Sequence, residues 1–262
     1  MMDSIQITQI SDLHLGSSKD ATLAGVNTLD SFKAVLNALD DQGRGDDLLL
    51  LSGDLSGESS AEAYVLLNKL LLEKGKQVIW LPGNHDDSEL MQKGLINFPP
   101  SAVVEMGEWG ILIVDSSQSG TPIGHISEAQ LQHVKIGLEQ LAGKAVLIAM
   151  HHSPIEVGSR WLDTQKIQNA DALYDLLIQH GNVKAVITGH VHQHFDGLWG
   201  ELILHTTPSS CIQFRQNSDD FALSDQPPGY RWLNLKASGV IETGVEFIAG
   251  FDQSPDIQNT GY

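Results

Sequence analysis

A chain of 262 residues with 41% hydrophobic and 18% charged residues can bury a sizeable core and has a globular composition. Its net charge of −18 argues against a nucleic-acid polymer or an anionic membrane as partner, because either would require a basic face. A single cysteine, Cys211, excludes an intrachain disulfide and favours the cytoplasm, and we expect neither a secretory signal nor a membrane span.

Short apolar runs alternate with stretches of helical periodicity along the first two thirds of the chain. Buried strands are predicted at residues 5–10, 47–51, 77–81, 111–114, 145–150 and 183–188. Helices are predicted at residues 28–39, 59–74, 128–141 and 170–180. Ser127 is a candidate N-cap for the third helix. This alternation predicts an α/β fold with much parallel strand pairing.

The last third of the chain has a different pattern. From His194 onward the helical periodicity fades, and the segments alternate in the manner of β-strands. We therefore expect a second, more antiparallel sheet that packs on the first. Residues 1–250 are predicted to form one domain, followed by a loosely held tail at residues 251–262.

Five of the predicted strands are followed at once by side chains that can bind metals. The sequence reads SDLH after residue 10, SGDLS after 51, PGNHD after 81, HHSP after 150 and GHVH after 188. Each fragment alone is also compatible with an ordinary turn. Because ligands bind at the carboxyl ends of strands in α/β sheets, their joint placement predicts one metal site.

The donor atoms of these fragments indicate the kind of metal site. The candidate ligands are Asp12, His14, Asp54, Asn84, His151, His190 and His192. Oxygen and imidazole donors without a thiolate favour Fe²⁺ or Mn²⁺, with Zn²⁺ or Co²⁺ as alternatives. Seven ligands are too many for one catalytic ion, and they predict two divalent metal ions that share a carboxylate and a bridging hydroxide. Such cations would also give an acidic protein the positive charge that a phosphate substrate needs.

The order of these motifs, D-x-H, G-D, G-N-H-D, H and G-H-x-H, resembles the calcineurin-like metallophosphoesterase superfamily. The stretches HHSPIEVGSRWLD, GHVHQHFDGLWGELILHTTPSSCIQF and PPGYRWLNL further resemble bacterial class III 3′,5′-cyclic-AMP phosphodiesterases. The resemblance extends over about residues 5–248 and implies a metallophosphoesterase-type four-layer α/β/β/α sandwich, with two mixed β-sheets flanked by helices. It also implies hydrolysis of a small-molecule cyclic nucleotide, 3′,5′-cyclic AMP, to 5′-AMP through a metal-bridging hydroxide.

The resemblance further implies a role for each motif. Asp54 would bridge the two ions. Their other ligands would be Asp12, His14 and His192 for one ion, and Asn84, His151 and His190 for the other. His85 would be catalytic without binding a metal, either as a proton donor to the leaving group or by stabilising negative charge. The expected substrate contacts are His14, Asp54, Asn84, His85, His192 and Trp161.

For several residues the sequence is compatible with two roles. His151 and His152 are adjacent, so we expect only one to point inward; His151 is preferred because it begins the H-x-x-P stretch. His152 would then lie behind the ligands or face the substrate. Trp161 either stacks on a purine or covers the core. Asp86 is a candidate to orient an imidazole, and His194 is expected to be a surface or core histidine.

Two other functions are compatible with the sequence. The same site could act on other phosphodiesters, such as 2′,3′-cyclic nucleotides, glycerophosphodiesters or a nucleotide-linked lipid precursor. An enzyme that acts on a lipid substrate would be expected to carry an apolar or basic insertion that faces the membrane, and the sequence lacks one. A non-catalytic binding scaffold is disfavoured, because all seven candidate ligands and His85 are present. Monomeric and dimeric states are both compatible with the sequence.

Overall fold

A computed structural model describes residues 4–44 and 47–261 of the chain. Residues 1–3 and 45–46 of the predicted domain, and residue 262 of the predicted tail, lie outside the described residues. The strands are β1 (Ser4–Ile10), β2 (Thr22–Leu23), β3 (Val26–Asn27), β4 (Leu48–Ser52), β5 (Val78–Leu81), β6 (Val103–Met106), β7 (Trp109–Val114), β8 (Ala145–Met150), β9 (Val183–Thr188), β10 (Phe195–Trp199), β11 (Leu202–Thr206), β12 (Gln213–Phe214), β13 (Leu223–Ser224), β14 (Gly229–Lys236) and β15 (Ile241–Phe247). The helices are α1 (Thr28–Gln42), α2 (Ala61–Lys74), α3 (Ser88–Gly94), α4 (Glu128–Gln140), α5 (Arg160–Asp163) and α6 (Ala170–Leu177).

The four predicted helices are confirmed as α1, α2, α4 and α6. Asn27 caps α1 by accepting a hydrogen bond from the backbone N–H of Asp30, and Gly43 ends the helix in the left-handed conformation at φ 61°. Ser127 caps α4 as predicted, because its side chain accepts from the backbone N–H of Gln130 at 3.2 Å. Within the described part of the chain, no helix combines the length and apolar character that crossing a membrane requires.

Two mixed sheets contain all the predicted buried strands. The five-stranded sheet has the order β15-β14-β1-β4-β5, in which β1, β4 and β5 run parallel. The six-stranded sheet has the order β10-β11-β9-β8-β7-β6, in which β11, β9, β8 and β7 run parallel. The remaining pairs in both sheets are antiparallel.

Three apolar clusters hold the layers together. Between the two sheets, Ile7 and Leu50 from one sheet share a core with Ile111 and Leu147 from the other. The outer face of the five-stranded sheet packs against α1 and α2, and that of the six-stranded sheet packs against α4 and α6. Burial on both faces explains why these strands are continuous apolar runs in the sequence. The result is a four-layer α/β/β/α sandwich, as the resemblance implied.

The strand-rich last third is confirmed, but the expectation that it forms a separate second sheet is wrong. β10 and β11 extend the six-stranded sheet, whereas β14 and β15 extend the five-stranded one. β14 pairs antiparallel with β1, with Ser4 opposite Lys236. An alternating pattern reveals which face of a strand is buried, but it does not identify the neighbouring strand, so the sequence could not divide these strands between two sheets.

Candidate metal centre

The polar motifs that follow the buried strands converge on one edge of the sandwich. β1, β4 and β5 of one sheet, and β8 and β9 of the other, each end one to three residues before a candidate ligand. Six of the seven candidates are buried: Asp12, His14, Asp54, His151, His190 and His192. Asn84 is half-buried and lines the same cavity as Asp54 and His190. The structure therefore brings the predicted ligands together from both sheets.

Five of these residues have a left-handed backbone conformation, which is unusual for residues other than glycine. Their φ angles are 55° for Asp12, 46° for His14, 51° for Asp54, 66° for His190 and 46° for His192. Such a conformation costs on the order of 1–3 kcal/mol per residue and persists only where surrounding contacts impose it. Backbone hydrogen bonds to the end of β4 impose it on the first motif, since Asp12 N donates to Gly53 O and His14 N donates to Asp54 O.

Asp12, His14 and His192 form the first group of donor atoms. The Nε2 atoms of His14 and His192 are 3.3 Å apart, and His192 Nε2 lies 3.5 Å from Asp12 Oδ1. The Nδ1–H of His192 donates to the backbone carbonyl of Ile212 at 2.8 Å. In a neutral imidazole, that bond leaves the lone pair on Nε2, which is the arrangement of a histidine that binds a metal.

His151 and His190 belong to the second group, with His152 beside them, and Asn84 lines the same cavity as His190. The Nδ1–H of His151 donates to the carbonyl of Ser52 at 2.8 Å, so that in the neutral ring the lone pair lies on Nε2. Asn84 Oδ1 and His190 Nε2 are buried atoms without a hydrogen-bond partner among the described residues. An unsatisfied buried polar atom is costly unless a ligand satisfies it, so these two atoms fit a bound cation.

Asp54 lies between the two groups. Its Oδ2 is 3.8 Å from His14 Nε2 and 3.3 Å from His151 Nε2, which is the position of a carboxylate that serves both groups. Its Oδ1 accepts a hydrogen bond from the backbone N–H of His85 at 2.9 Å. Gly83 makes this approach feasible, because a Cβ at that position would lie 2.1 Å from Asp54 Oδ1.

Burial and neighbouring charges shift the protonation of this cluster. Burial would raise the pKa of Asp54, but the imidazole of His151 outweighs it and holds the pKa well below its ordinary value. Burial lowers the pKa of His14 to about 3 and that of His190 well below its usual range. Burial would also lower the pKa of His151, but the carboxylate of Asp54 raises it to about 9. Ionised carboxylates and neutral imidazoles are the forms that bind divalent ions, so His151 would have to release its Nε2 proton when an ion takes its place beside Asp54.

His85 and His152 lie next to the ligand groups. The rings of His85 and His14 are 5.0 Å apart, and His85 Nδ1 donates to Gly57 O at 3.2 Å. The expectation that only one of His151 and His152 would point inward is wrong, because both are buried and each has a ring nitrogen within 4.8 Å of one on His190. The reason is local: β8 ends at Met150, and beyond it the chain bends, so successive side chains no longer alternate.

Asp86 connects the loops that carry two candidate ligands. Its carboxylate accepts backbone N–H bonds from Leu55, Ser56 and Gly83, and the O–H of Tyr64 donates to it at 2.9 Å. These donors are backbone groups and a phenol rather than an imidazole, so the predicted role of Asp86 in orienting a histidine is not observed. Asp86 instead links the ends of β4 and β5.

A cavity of about 410 Å³ opens beside the candidate ligands. Its lining includes Asp54, Asn84, His85, His190, Trp161, Phe214, Phe221, Gly261 and the segment 120–122. The two readings of Trp161 are both compatible with its position, because it lines the cavity and also packs against Phe214 at 4.9 Å between ring centroids. Phe214 in turn stacks on the ring of His192 at 4.2 Å.

The sequence did not identify the aromatic side of this cavity beyond Trp161. Phe214 and Phe221 lie far along the chain from the strand-end motifs, and no spacing rule connects them to those motifs. His194, which follows the last motif, does not belong to either donor group formed by the described residues. The one signal for Phe214 was its place at the end of the CIQF stretch that carried part of the resemblance.

A four-layer sandwich with two groups of carboxylate and imidazole donors at the carboxyl edge of its sheets is the arrangement of a metal-dependent phosphoesterase. The chain belongs to the calcineurin-like phosphoesterase family, whose family model matches residues 5–194.

Individual relatives extend this similarity to nearly the whole chain. The chain is 36% identical to the 3′,5′-cyclic adenosine monophosphate phosphodiesterase CpdA of Escherichia coli (strain K12), over 98% of this chain and 95% of that protein. It is 33% identical to the protein of the same name from Pseudomonas aeruginosa, over 99% of this chain and 96% of that protein. A solved dimetal phosphatase from Danio rerio has the same fold, with a TM-score of 0.64, 14% identity, and coverage of 94% and 99%.

Proposed function

We propose that this protein hydrolyses 3′,5′-cyclic AMP to 5′-AMP with two divalent metal ions. The observation that carries the proposal is the convergence of two donor groups around Asp54 at the wall of a cavity of about 410 Å³. That volume is near the lower end of small-molecule sites, which span roughly 300–1,000 Å³, and suits a mononucleotide. The relatives named for this activity support the choice of substrate.

The residues present fit a pair of divalent ions. Asp12, His14 and His192 would hold one ion, Asn84, His151 and His190 the other, and Asp54 both. The unpaired buried atoms Asn84 Oδ1 and His190 Nε2 support this assignment. When bound, such ions activate water and neutralise charge on the phosphate oxygens. The donor set favours Fe²⁺ or Mn²⁺, with Zn²⁺ or Co²⁺ as alternatives.

The chain itself supplies a group for the departing oxygen. Hydrolysis adds water to phosphorus and breaks the bond to the 3′ oxygen of the ribose, which must gain a proton. His85 lines the cavity, and its Nδ1–H is directed to the carbonyl of Gly57. A proton carried on Nε2 is then the one that His85 can donate to the 3′ oxygen. The backbone of His85 is fixed by its hydrogen bond to Asp54 Oδ1.

The proposal is tested by metal reconstitution and product analysis. The protein is stripped with a chelator, reloaded with Mn²⁺, and given 3′,5′-cyclic AMP and 2′,3′-cyclic AMP in parallel, with products separated by chromatography. We expect metal-dependent 5′-AMP from the first substrate. The variant Asn84→Ala should lose most of this activity, because it removes a predicted ligand. Asn37→Ala is the matched control, since its amide is exposed on α1.

Each outcome of this experiment has a distinct meaning. Cleavage of only the 2′,3′ isomer would contradict the proposed substrate and leave the metal site standing. No cleavage with Mn²⁺, Fe²⁺, Zn²⁺ or Co²⁺ would contradict the hydrolase and favour a binding scaffold. Equal activity of the Asn84→Ala and Asn37→Ala variants would contradict the assignment of Asn84 as a ligand.

The cellular setting that fits this function is the cytoplasm. The proposal rests on the single cysteine, which is buried at 2% exposure, and on the nature of the substrate, a soluble intracellular nucleotide. The net charge of −18 supports a small-molecule partner over a nucleic-acid polymer.

A further inference from the structure

The segment after β15, residues 251–261, contains no helix or strand, yet it is attached to the body of the protein. Asn27 N donates to Gln253 Oε1 at 2.7 Å, and Asp256 N donates to Ala24 O at 2.8 Å. These contacts tie the segment to the β2–β3 hairpin and to the start of α1. The segment therefore follows a defined path across the protein.

That path leads to the aromatic side of the cavity. Phe251 packs against a small apolar cluster that contains Phe214 and Leu162. Both of these residues also line the cavity. Farther along, Gly261 lines the cavity directly, together with Asn84 and His85. One end of the segment thus supports the cavity wall from behind, and the other end is part of that wall.

The segment is also negatively charged. It contains Asp252 and Asp256 and no lysine or arginine. A cyclic mononucleotide brings one phosphate, which the metal centre would bind. A longer nucleotide diester brings further bulk, which must fit beside the wall that includes Gly261. The two carboxylates are exposed and are not among the lining residues of the cavity, so they add only a general repulsion for any additional phosphate, and shape is the main basis of the exclusion.

We propose that the segment 251–261 is a specificity-determining wall of the substrate cavity, which admits a mononucleotide-sized phosphodiester and excludes longer nucleotide diesters. The inference deepens the proposed function and rests on it for the chemistry at the metal centre. It assigns to the segment a role at the site, where the sequence predicted only a loosely held tail.

The test is a chain shortened after residue 257. It removes Gly261 from the wall but keeps Phe251, Gln253 and Asp256, which anchor the segment. Val240→Ala in the full chain is the matched control, because this side chain is 54% exposed and lies outside the segment. Three Mn²⁺-loaded reactions are compared: 3′,5′-cyclic AMP, the dinucleoside monophosphate adenylyl-(3′→5′)-adenosine, and methyl 4-nitrophenyl phosphate as a small diester.

The measured quantity is the ratio of kcat/KM for the dinucleoside monophosphate to that for the small diester. We expect this ratio to rise at least about tenfold in the shortened chain, with bound Mn²⁺ unchanged, and to stay constant in the Val240→Ala variant. A ratio within about twofold of the full chain would overturn the proposal. So would an equal rise in the Val240→Ala variant.

Two further measurements keep the test decisive. If the shortened chain loses its Mn²⁺ or fails to fold, Phe251→Ala in the full chain takes its place, since it loosens the anchor without removing residues. We expect the ratio to rise in that variant as well, and an unchanged ratio would again overturn the proposal. If the full chain cleaves the small diester but not 3′,5′-cyclic AMP, the proposed substrate fails, while the ratio still decides the role of the segment.

Discussion

Gly83→Ala is expected to disable the metal centre while leaving the two sheets intact. A Cβ at this position would lie 2.1 Å from Asp54 Oδ1 and 2.4 Å from Asp54 N, whereas real Cβ atoms essentially never approach another atom more closely than 3.0 Å. Asp54 must therefore move by about 0.9 Å or the loop must rearrange. Neither is easy, because the backbone N–H of His85 also donates to the same oxygen.

The size of the effect follows from the tolerance of metal coordination. Distances between metals and their ligands are fixed to within about 0.2 Å, so a displacement several times larger would remove Asp54 as the proposed shared ligand. Disturbing the support of a ligand typically costs about 10–100-fold in metal affinity, and we expect at least that loss. Forcing a methyl group into a packed site should also lower the free energy of unfolding by about 1–3 kcal/mol.

Metal content and stability are measured separately for this variant. Bound Mn²⁺ is determined by atomic absorption after dialysis against a graded series of free Mn²⁺, and stability by chemical denaturation. Gly181→Ala is the control, because a Cβ there meets nothing within 4 Å; it should bind Mn²⁺ as the unmodified protein does. If the Gly83→Ala variant binds Mn²⁺ with unchanged affinity, the close approach of Gly83 to Asp54 has no role in holding the ligand.

Three further results are expected. Tyr64→Phe removes the O–H that donates to Asp86, and it should lower the free energy of unfolding by about 1–3 kcal/mol, as measured by denaturant titration. An unchanged free energy of unfolding would show that this hydrogen bond is dispensable. Cys211 should not react with a thiol reagent at pH 8 in the native protein, because it is buried and burial raises the pKa of its thiol to about 12. In denaturant one thiol per chain should react. Rapid labelling of the native protein would contradict the burial of Cys211. Chelation should lower Tm and Mn²⁺ should restore it, since an ion that binds only the folded state adds about 2.7 kcal/mol at a hundredfold excess over Kd; an unchanged Tm would argue against metal binding by the folded protein.

The sequence could bring the candidate ligand motifs together because they obey two local rules. Apolar runs identify buried strands, and ligands gather at strand carboxyl ends, so Asp12 and His190 could be placed together from positions far apart in the chain. The pairing of β14 with β1 and the stacking of Phe214 on His192 follow no such rule. Both depend on contacts between distant segments, and only the folded chain shows them. The same holds for Gly261, whose sequence neighbourhood has no motif at all.

The strained backbone of the ligand loops connects the fold with the function. Of the eight residues other than glycine with positive φ in the described chain, five are candidate ligands. Bound ions cannot be the only source of this conformation, because backbone hydrogen bonds and the packed strands on both sides already impose it on Asp12 and His14. The sandwich therefore holds the donor atoms in place before an ion binds, which lowers the entropic cost of binding. For that reason chelation is expected to lower Tm without removing secondary structure, since the sheets hold the site and the ions add to their stability.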